Sequence, residues 1–238
     1  MARKEVLTIS DLSNKKYEFI NGARGMLPIA MSGILDALVF GLLARQAGLS
    51  VTETVLFSIL VNAGSSQFAA LGLFSQGIFG VPVLLSTFLL NARHILYGLS
   101  LGTAFRTIPT WKLMSVALLL NDETYALKSK YLEEGKKTSL TYFFGAGLLD
   151  SGIWIGSTFV GAIFGTFISH PERYGLDFAY TATFLGFLAV NLKSSFYIKV
   201  AVGSAVAACL GYALNGPSLS VILGTACAIV LGVLFHER

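Results

Sequence analysis

Residues 55–105 read VLFSILVNAGSSQFAALGLFSQGIFGVPVLLSTFLLNARHILYGLSLGTAF, and Arg93 is the only formally charged side chain among them. About 20 apolar residues in a helix cross the ~30 Å hydrocarbon layer of a bilayer, so this stretch holds two crossings. Val200 to Phe235 carries no formal charge at all. Around these stretches the chain of 238 residues is 54% hydrophobic and 13% charged, with a mean hydropathy of +0.70. Ordinary soluble domains are about 25% charged, and the charges here are too few to clothe a soluble core of this size. A soluble enzyme, a nucleic-acid module and a disordered chain are thereby excluded. The net charge of +4 bears on membrane topology instead. Cys209 and Cys227 lie in apolar stretches without a spacing partner, which points to neither a disulfide framework nor a metal site.

Outward from this stretch, polar punctuation divides the chain into eight apolar spans, at about 25–44, 53–74, 78–105, 111–127, 139–168, 177–192, 197–214 and 218–235. The third and fifth exceed one straight crossing, so each is tilted, bent or built of two pieces; seven spans is the alternative count. Residues 1–24 hold Arg3, Lys4, Lys15, Lys16 and Arg24 without a continuous apolar core, and read as a cytoplasmic segment with no cleavable signal peptide. With eight spans and the N-terminus inside, twelve Lys and Arg fall on the cytoplasmic side and four outside, Arg93 being the seventeenth. Cytoplasmic loops are enriched in Lys and Arg, so both termini are expected in the cytoplasm. The fold class expected is all-α: a polytopic transmembrane helical bundle, one transporter domain over 25–238. Gly98 and Gly102, Gly152 and Gly156, and Gly161 and Gly165 are each four apart, a spacing that lets membrane helices approach closely.

An internal echo joins Gly33-Ile34-Leu35-Asp36 to Gly147-Leu148-Leu149-Asp150, and Asn91-Ala92-Arg93 to Asn191-Leu192-Lys193. It suggests a two-fold repeat, 25–130 against 139–238, of the kind that frames substrate sites in secondary transporters.

Polar groups inside spans are costly without a partner and therefore informative. Asp36 and Asp150 fall near mid-depth in spans one and five, either as helix anchors paired with Arg93 or as groups that hold an ammonium or carry a proton. Span two is interrupted by Asn62-Ala63-Gly64-Ser65-Ser66-Gln67. A helix broken there would present free amides to a carboxylate at the start of its second half; a continuous helix with back-bonded serines is the alternative. Span three places Arg93 and Tyr97 on one face at four-residue spacing, after Asn91, and an arginine so deep wants an acidic partner or an anionic ligand. Asp122 and Glu123 end span four as a coupling site or a solvated helix end. Metal-binding, nucleophile-elbow and phosphate-loop motifs are missing, so neither a cofactor nor an enzyme activity is expected.

Four strings occur in an order that resembles the AzlC family: Gly64-Ser65-Ser66-Gln67-Phe68-Ala69, Asn91-Ala92-Arg93-His94-Ile95-Leu96-Tyr97-Gly98-Leu99-Ser100, Asn121-Asp122-Glu123-Thr124-Tyr125-Ala126-Leu127, and Leu176-Asp177-Phe178-Ala179. The resemblance implies export of branched-chain amino acids across a bacterial inner membrane, together with a small hydrophobic partner of the AzlD type. Asp36 departs from that family's pattern. On this reading Arg93 and the amides at Gly64, Ser65 and Ser66 meet the substrate carboxylate. Gln67, Asp36 or Asp150 meets its ammonium, and Phe68 and Trp154 cover its apolar end. The alternative is a membrane assembly or receptor subunit that transports nothing.

Overall fold

The computed structural model describes residues 9–102, 105, 108–135, 139–168 and 192–235, with isolated positions between 169 and 191. Among these the chain is all-helical. Ten helices follow one another: α1 (Ile9–Ser32), α2 (Ile34–Gln46), α3 (Val51–Val61), α4 (Gly64–Phe74), α5 (Val81–Asn91), α6 (Arg93–Gly102), α7 (Thr110–Ala117), α8 (Asp122–Glu133), α9 (Leu140–Phe167) and α10 (Ser195–Leu234). Two segments, Leu140–Phe167 and Ser195–Gly216, are long and apolar enough to cross a membrane alone. The pair Asn14–Ser32 and Ile34–Gln46, bent by 56°, makes a third if it forms one span. The other stretches read as spans two to four form shorter helices. The sixth, at 177–192, lies largely outside the described residues, as do three residues of the Leu176–Ala179 string and Asn191 of the internal echo.

Local chemistry accounts for the breaks. Ser50 opens α3 with a capping box, its hydroxyl accepting the Glu53 N–H at 3.1 Å while the Glu53 carboxylate accepts the Ser50 N–H at 2.7 Å. Asn62 ends that helix in the left-handed region at φ 35°, the one non-glycine with positive φ among the described residues. Asparagine tolerates that conformation where most L-residues lose about 1–2 kcal/mol. Asn62→Val is therefore expected to lower the melting temperature in detergent by more than Asn62→Gly, since both lose the amide but only valine strains the backbone. Equal losses would remove the backbone from the account. The bend between α1 and α2 falls at the Ser32–Gly33 pair, a common cause of helix kinks. By contrast α9 runs unbroken through Gly147–Gly152, the segment that echoes this bend in sequence. Asn121 opens α8 with a second capping box, accepting the Thr124 N–H at 2.9 Å.

The described residues belong to two compact units, one of Met1–Gln67 with Asn91–Ser169, the other of Phe68–Leu90 with His170–Arg238. In the first, α9 is the centre: α1, α2, α3, α7 and α8 all pack on it. Its 28 residues extend about 42 Å at 1.5 Å each. The approach of α1 and α2 is backbone to backbone. A Cβ added at Gly22 or Gly145 would overlap the carbonyl oxygen of Tyr142 or Phe19, and one at Gly41 or Gly161 that of Thr158 or Leu38. Of the spaced pairs predicted from sequence, Gly161 sits in such a contact and Gly165 lies against the Arg45 side chain, whereas a Cβ at Gly98, Gly102, Gly152 or Gly156 meets nothing within 4 Å. In the second unit α10 folds on itself. Its φ/ψ leave the helical region at Asn215 and Gly216. Gly203 then faces Leu231, Ala208 faces Gly224 and Gly211 faces Leu219, the falling register of an antiparallel hairpin.

Candidate functional site

Three helix breaks in the first unit, at Asn62–Ala63, at Ala92 and at Leu118–Asn121, bring their polar residues to one another and to α9. From α9, Asp150, Ser151, Trp154 and Thr158 each take a partner. Asn121 Nδ2 donates to Asp150 Oδ2 at 2.6 Å, and Asn62 Nδ2 to Ser151 Oγ at 2.7 Å. Trp154 Nε1 donates to Gln67 Oε1 at 3.1 Å, Gln67 Nε2 to Ser58 Oγ at 3.0 Å, and the Ser58 and Thr158 hydroxyls share a bond of 3.0 Å. Gln67, Ser58 and Thr158 are fully buried, so this chain of bonds satisfies groups that would otherwise each cost about 1–3 kcal/mol.

Arg93 opens α6, a place where a cation opposes the helix dipole. Its Nη2 offsets this with two charge-directed contacts, to Asp122 Oδ2 at 2.8 Å and to Ser65 Oγ at 2.6 Å. Asp122 in turn accepts the Tyr97 hydroxyl at 2.8 Å, and the Tyr97 ring stacks on Tyr125 with centroids 4.2 Å apart. Asp122 and Glu123 occupy the first turn of α8, where negative charge is favourable. Glu123 is close enough to Asp150 and Asp122 to feel their charges. Arg93 thus pairs with Asp122 and lies within electrostatic reach of Glu123.

Ser65 belongs to the first turn of α4, whose first intrahelical bond is made by the Gln67 N–H to the Ala63 carbonyl at 3.0 Å. The amides of Gly64, Ser65 and Ser66 precede it, and Ala63, as the flanking residue, has no side-chain oxygen to cap them. Gly64 lies against the Trp154 indole, 3.0 Å from where a Cβ would stand. Two atoms here are buried without a partner among the described residues, Arg93 Nε and Asn91 Oδ1. One is a donor and one an acceptor, and they flank the break at Ala92.

The residues singled out from sequence are therefore partly gathered. Gly64, Ser65, Ser66, Gln67, Asn91, Arg93, Tyr97, Asp122, Glu123 and Asp150 all belong to this cluster. Arg93 pairs with Asp122, however, rather than with Asp36 of α2 or Asp150 of α9, because it is the start of α8 that meets the start of α6. Gln67 already spends its amide on Trp154 and Ser58. Asp36 stands apart: it lies in the first turn of α2, exposed, with no hydrogen bond or ion pair among the described residues. Phe68 is fully buried further along α4. Sequence reasoning did not single out Asn62 or Asn121 as partners, although their type marks both as helix-end residues, and nothing in the local pattern flagged Ser58, Ser151 or Thr158. Outside the spans, Lys128 is buried with its ammonium 5.0 Å from the Phe105 ring centre, and burial pushes that ammonium below its ordinary range.

A match to the AzlC protein family covers residues 28–168, more than half the chain and all of this cluster. The chain belongs to the AzlC family. Among relatives, an uncharacterised membrane protein of Archaeoglobus fulgidus is 32% identical over 88% of this chain and 91% of its own length. The inner membrane protein YgaZ of Escherichia coli is 28% identical over 91% of this chain and 90% of its own. The branched-chain amino acid transport protein AzlC of Bacillus subtilis is 25% identical over 67% of this chain and 62% of its own. No solved structure matches. This AzlC member is a membrane protein, and the cluster described above lies wholly inside the segment the family shares.

Proposed function

We propose that this AzlC protein is a secondary transporter that exports branched-chain or similar apolar amino acids across a bacterial inner membrane, with both termini cytoplasmic and a small hydrophobic AzlD-type subunit beside it. The observation that carries the reading is Arg93, anchored by Asp122 and Ser65 at the junction of two helix breaks, with Nε uncommitted beside the uncapped amides of α4. Broken helices whose N-termini point at a carboxylate are a recurrent feature of transporter substrate sites. The printed name of the Bacillus subtilis relative supports the substrate class. Under this reading the substrate carboxylate meets Arg93 and the amides of Gly64, Ser65 and Ser66, while Tyr97 holds Asp122 in place. Asn91 offers its free carbonyl oxygen to the ammonium. Asp150, Asp122 and Glu123 are the carboxylates in position to carry a coupling proton; Asp36, standing outside the cluster, is the weaker candidate.

The test is efflux from cells loaded with valine-, leucine- or methionine-containing dipeptides, with this chain expressed alone and with its partner. Wild-type chain is expected to accelerate efflux. Arg93→Lys keeps a positive charge beside Asp122 but loses the planar fork and Nε, and is expected to cut efflux at least tenfold at equal protein level. No acceleration by wild type in either setting, with the protein in the membrane, removes the transport reading and leaves a subunit whose polar groups only join helices.

A further inference from the structure

We infer that Trp154 is the positioning residue of the substrate carboxylate site: its indole holds the first turn of α4 so that the uncapped amides of Gly64, Ser65 and Ser66 stand beside Arg93. This rests on the transport reading above.

Trp154 touches α4 at two points one turn apart. Its Nε1 donates to Gln67 Oε1 at 3.1 Å, and a Cβ added at Gly64 would stand 3.0 Å from Cη2 and 3.4 Å from Cζ2 of its ring. Residues three apart share a helix face, so Gly64 and Gln67 form the face of α4 that is turned to α9. Two such points fix both the height and the rotation of the turn between them. With that face taken up, Ser65 is left turned to Arg93, whose Nη2 donates to its Oγ at 2.6 Å. The three amides follow the same rotation, because they belong to the same turn.

The indole itself has little room to move. Gln67 Nε2 donates to Ser58 Oγ, which shares a bond with Thr158 one turn further along α9, and Gln67, Ser58 and Thr158 are fully buried. On another edge the ring faces the bend between α1 and α2, where a Cβ at Gly33 would stand 3.9 Å from Cε3 and Cζ3. One side chain of the central helix thus backs two helix breaks, and each break sets a glycine against it. The two glycines differ in clearance. At Gly33 a methyl makes ordinary van der Waals contact with the ring. At Gly64 it presses on the ring, and the first turn of α4 gives way rather than the pinned indole.

The experiment measures uptake of labelled leucine and valine into inside-out membrane vesicles carrying the full chain and its partner, with KM and maximal rate per protein determined separately. Trp154→Phe keeps a ring on α9 but loses Nε1 and the outer carbons that meet Gly64. It is expected to raise KM about tenfold, what one lost hydrogen bond to a charged group amounts to, with the maximal rate within about twofold of wild type. The factor is expected to be the same for leucine and valine, because the carboxylate is common to both. Gly64→Ala is expected to raise KM in the same way, and Gly33→Ala to leave it unchanged. The double variant Gly64→Ala/Trp154→Phe is expected to be no worse than Trp154→Phe, since both changes act at one contact. An unchanged KM in Trp154→Phe and Gly64→Ala overturns the inference, since an indole that only packs α9 affects the amount of protein and not its KM. A KM raised for one of the two amino acids alone also overturns it, by placing the indole on the substrate side chain. Should Trp154→Phe fail to accumulate, the two glycine variants decide between them. If wild-type vesicles take up neither amino acid, the transport reading itself has failed, which is a different and separately visible result.

Discussion

Gly161→Ala is expected to destabilise the protein by about 3 kcal/mol or more, the upper end of the cost of overpacking a close-packed interior, while Gly156→Ala on the same helix changes stability by less than about 0.5 kcal/mol. The two positions have the same residue, the same helix and nearly the same depth along it. They differ in what stands opposite. At Gly161 an added methyl would overlap the carbonyl oxygen of Leu38, and α2 presents Gly41 to α9 in the same way against Thr158. To accept the methyl, the two helices must part, and parting breaks the neighbouring contacts of Leu43, Ala44 and Ala162, all fully buried. At Gly156 nothing lies within 4 Å. The comparison is made by thermal unfolding in one detergent at one protein concentration, with membrane levels measured in parallel. Similar losses for both variants would mean that glycine matters here for its backbone alone. A harmless Gly161→Ala would mean that α2 and α9 do not meet as described.

That contrast also marks how far the sequence could be read. The break in the second span was legible because Asn62-Ala63-Gly64-Ser65-Ser66-Gln67 puts weak helix formers and helix-end residues in a row, and local propensity decides a helix end. The division of the third span at Ala92 was legible as excess length. The family resemblance was legible in strings that span the site. Which glycines pack was not. Gly98 and Gly102 have the spacing of Gly161 and Gly165, but spacing only says that two residues share a face; it does not say which helix, if any, lies against that face. The same holds for charge partners. A deep arginine calls for a carboxylate, and the sequence offered Asp36 or Asp150 for it. The choice of Asp122 follows from how the α8 break is turned toward α6. The bend at Gly33 was missed for another reason. It falls in a run whose hydrophobicity is continuous, and a Ser-Gly pair is common enough in membrane helices to pass unremarked.

The pairing of Arg93 with Asp122 leads to the second large effect. Among the described residues, removing the arginine leaves the Asp122 carboxylate with the Tyr97 hydroxyl at 2.8 Å, and removing the carboxylate leaves the guanidinium with Ser65. Both side chains are only partly covered, at 32% and 42% exposure, so water compensates each charge in part and their pairing the rest. Hydrogen bonds to charged groups are worth about 1.5–3 kcal/mol each. Arg93→Ala and Asp122→Asn are therefore each expected to lower the melting temperature in detergent and the amount of protein in the membrane. The double variant Arg93→Ala/Asp122→Asn, in which neither charge remains, is expected to recover most of that loss, with a coupling of about 1.5–3 kcal/mol between the sites. Losses that simply add would show that the 2.8 Å ion pair contributes nothing to stability. The double variant has a second use, because it separates holding helices together from binding a substrate. If its fold is restored and its efflux is not, the guanidinium acts on something other than Asp122, and the uncommitted Nε beside the uncapped start of α4 is where that something would bind. If efflux returns with the fold, Arg93 serves the helices alone, and the carboxylate of the substrate must be met by the amides of Gly64, Ser65 and Ser66 without it.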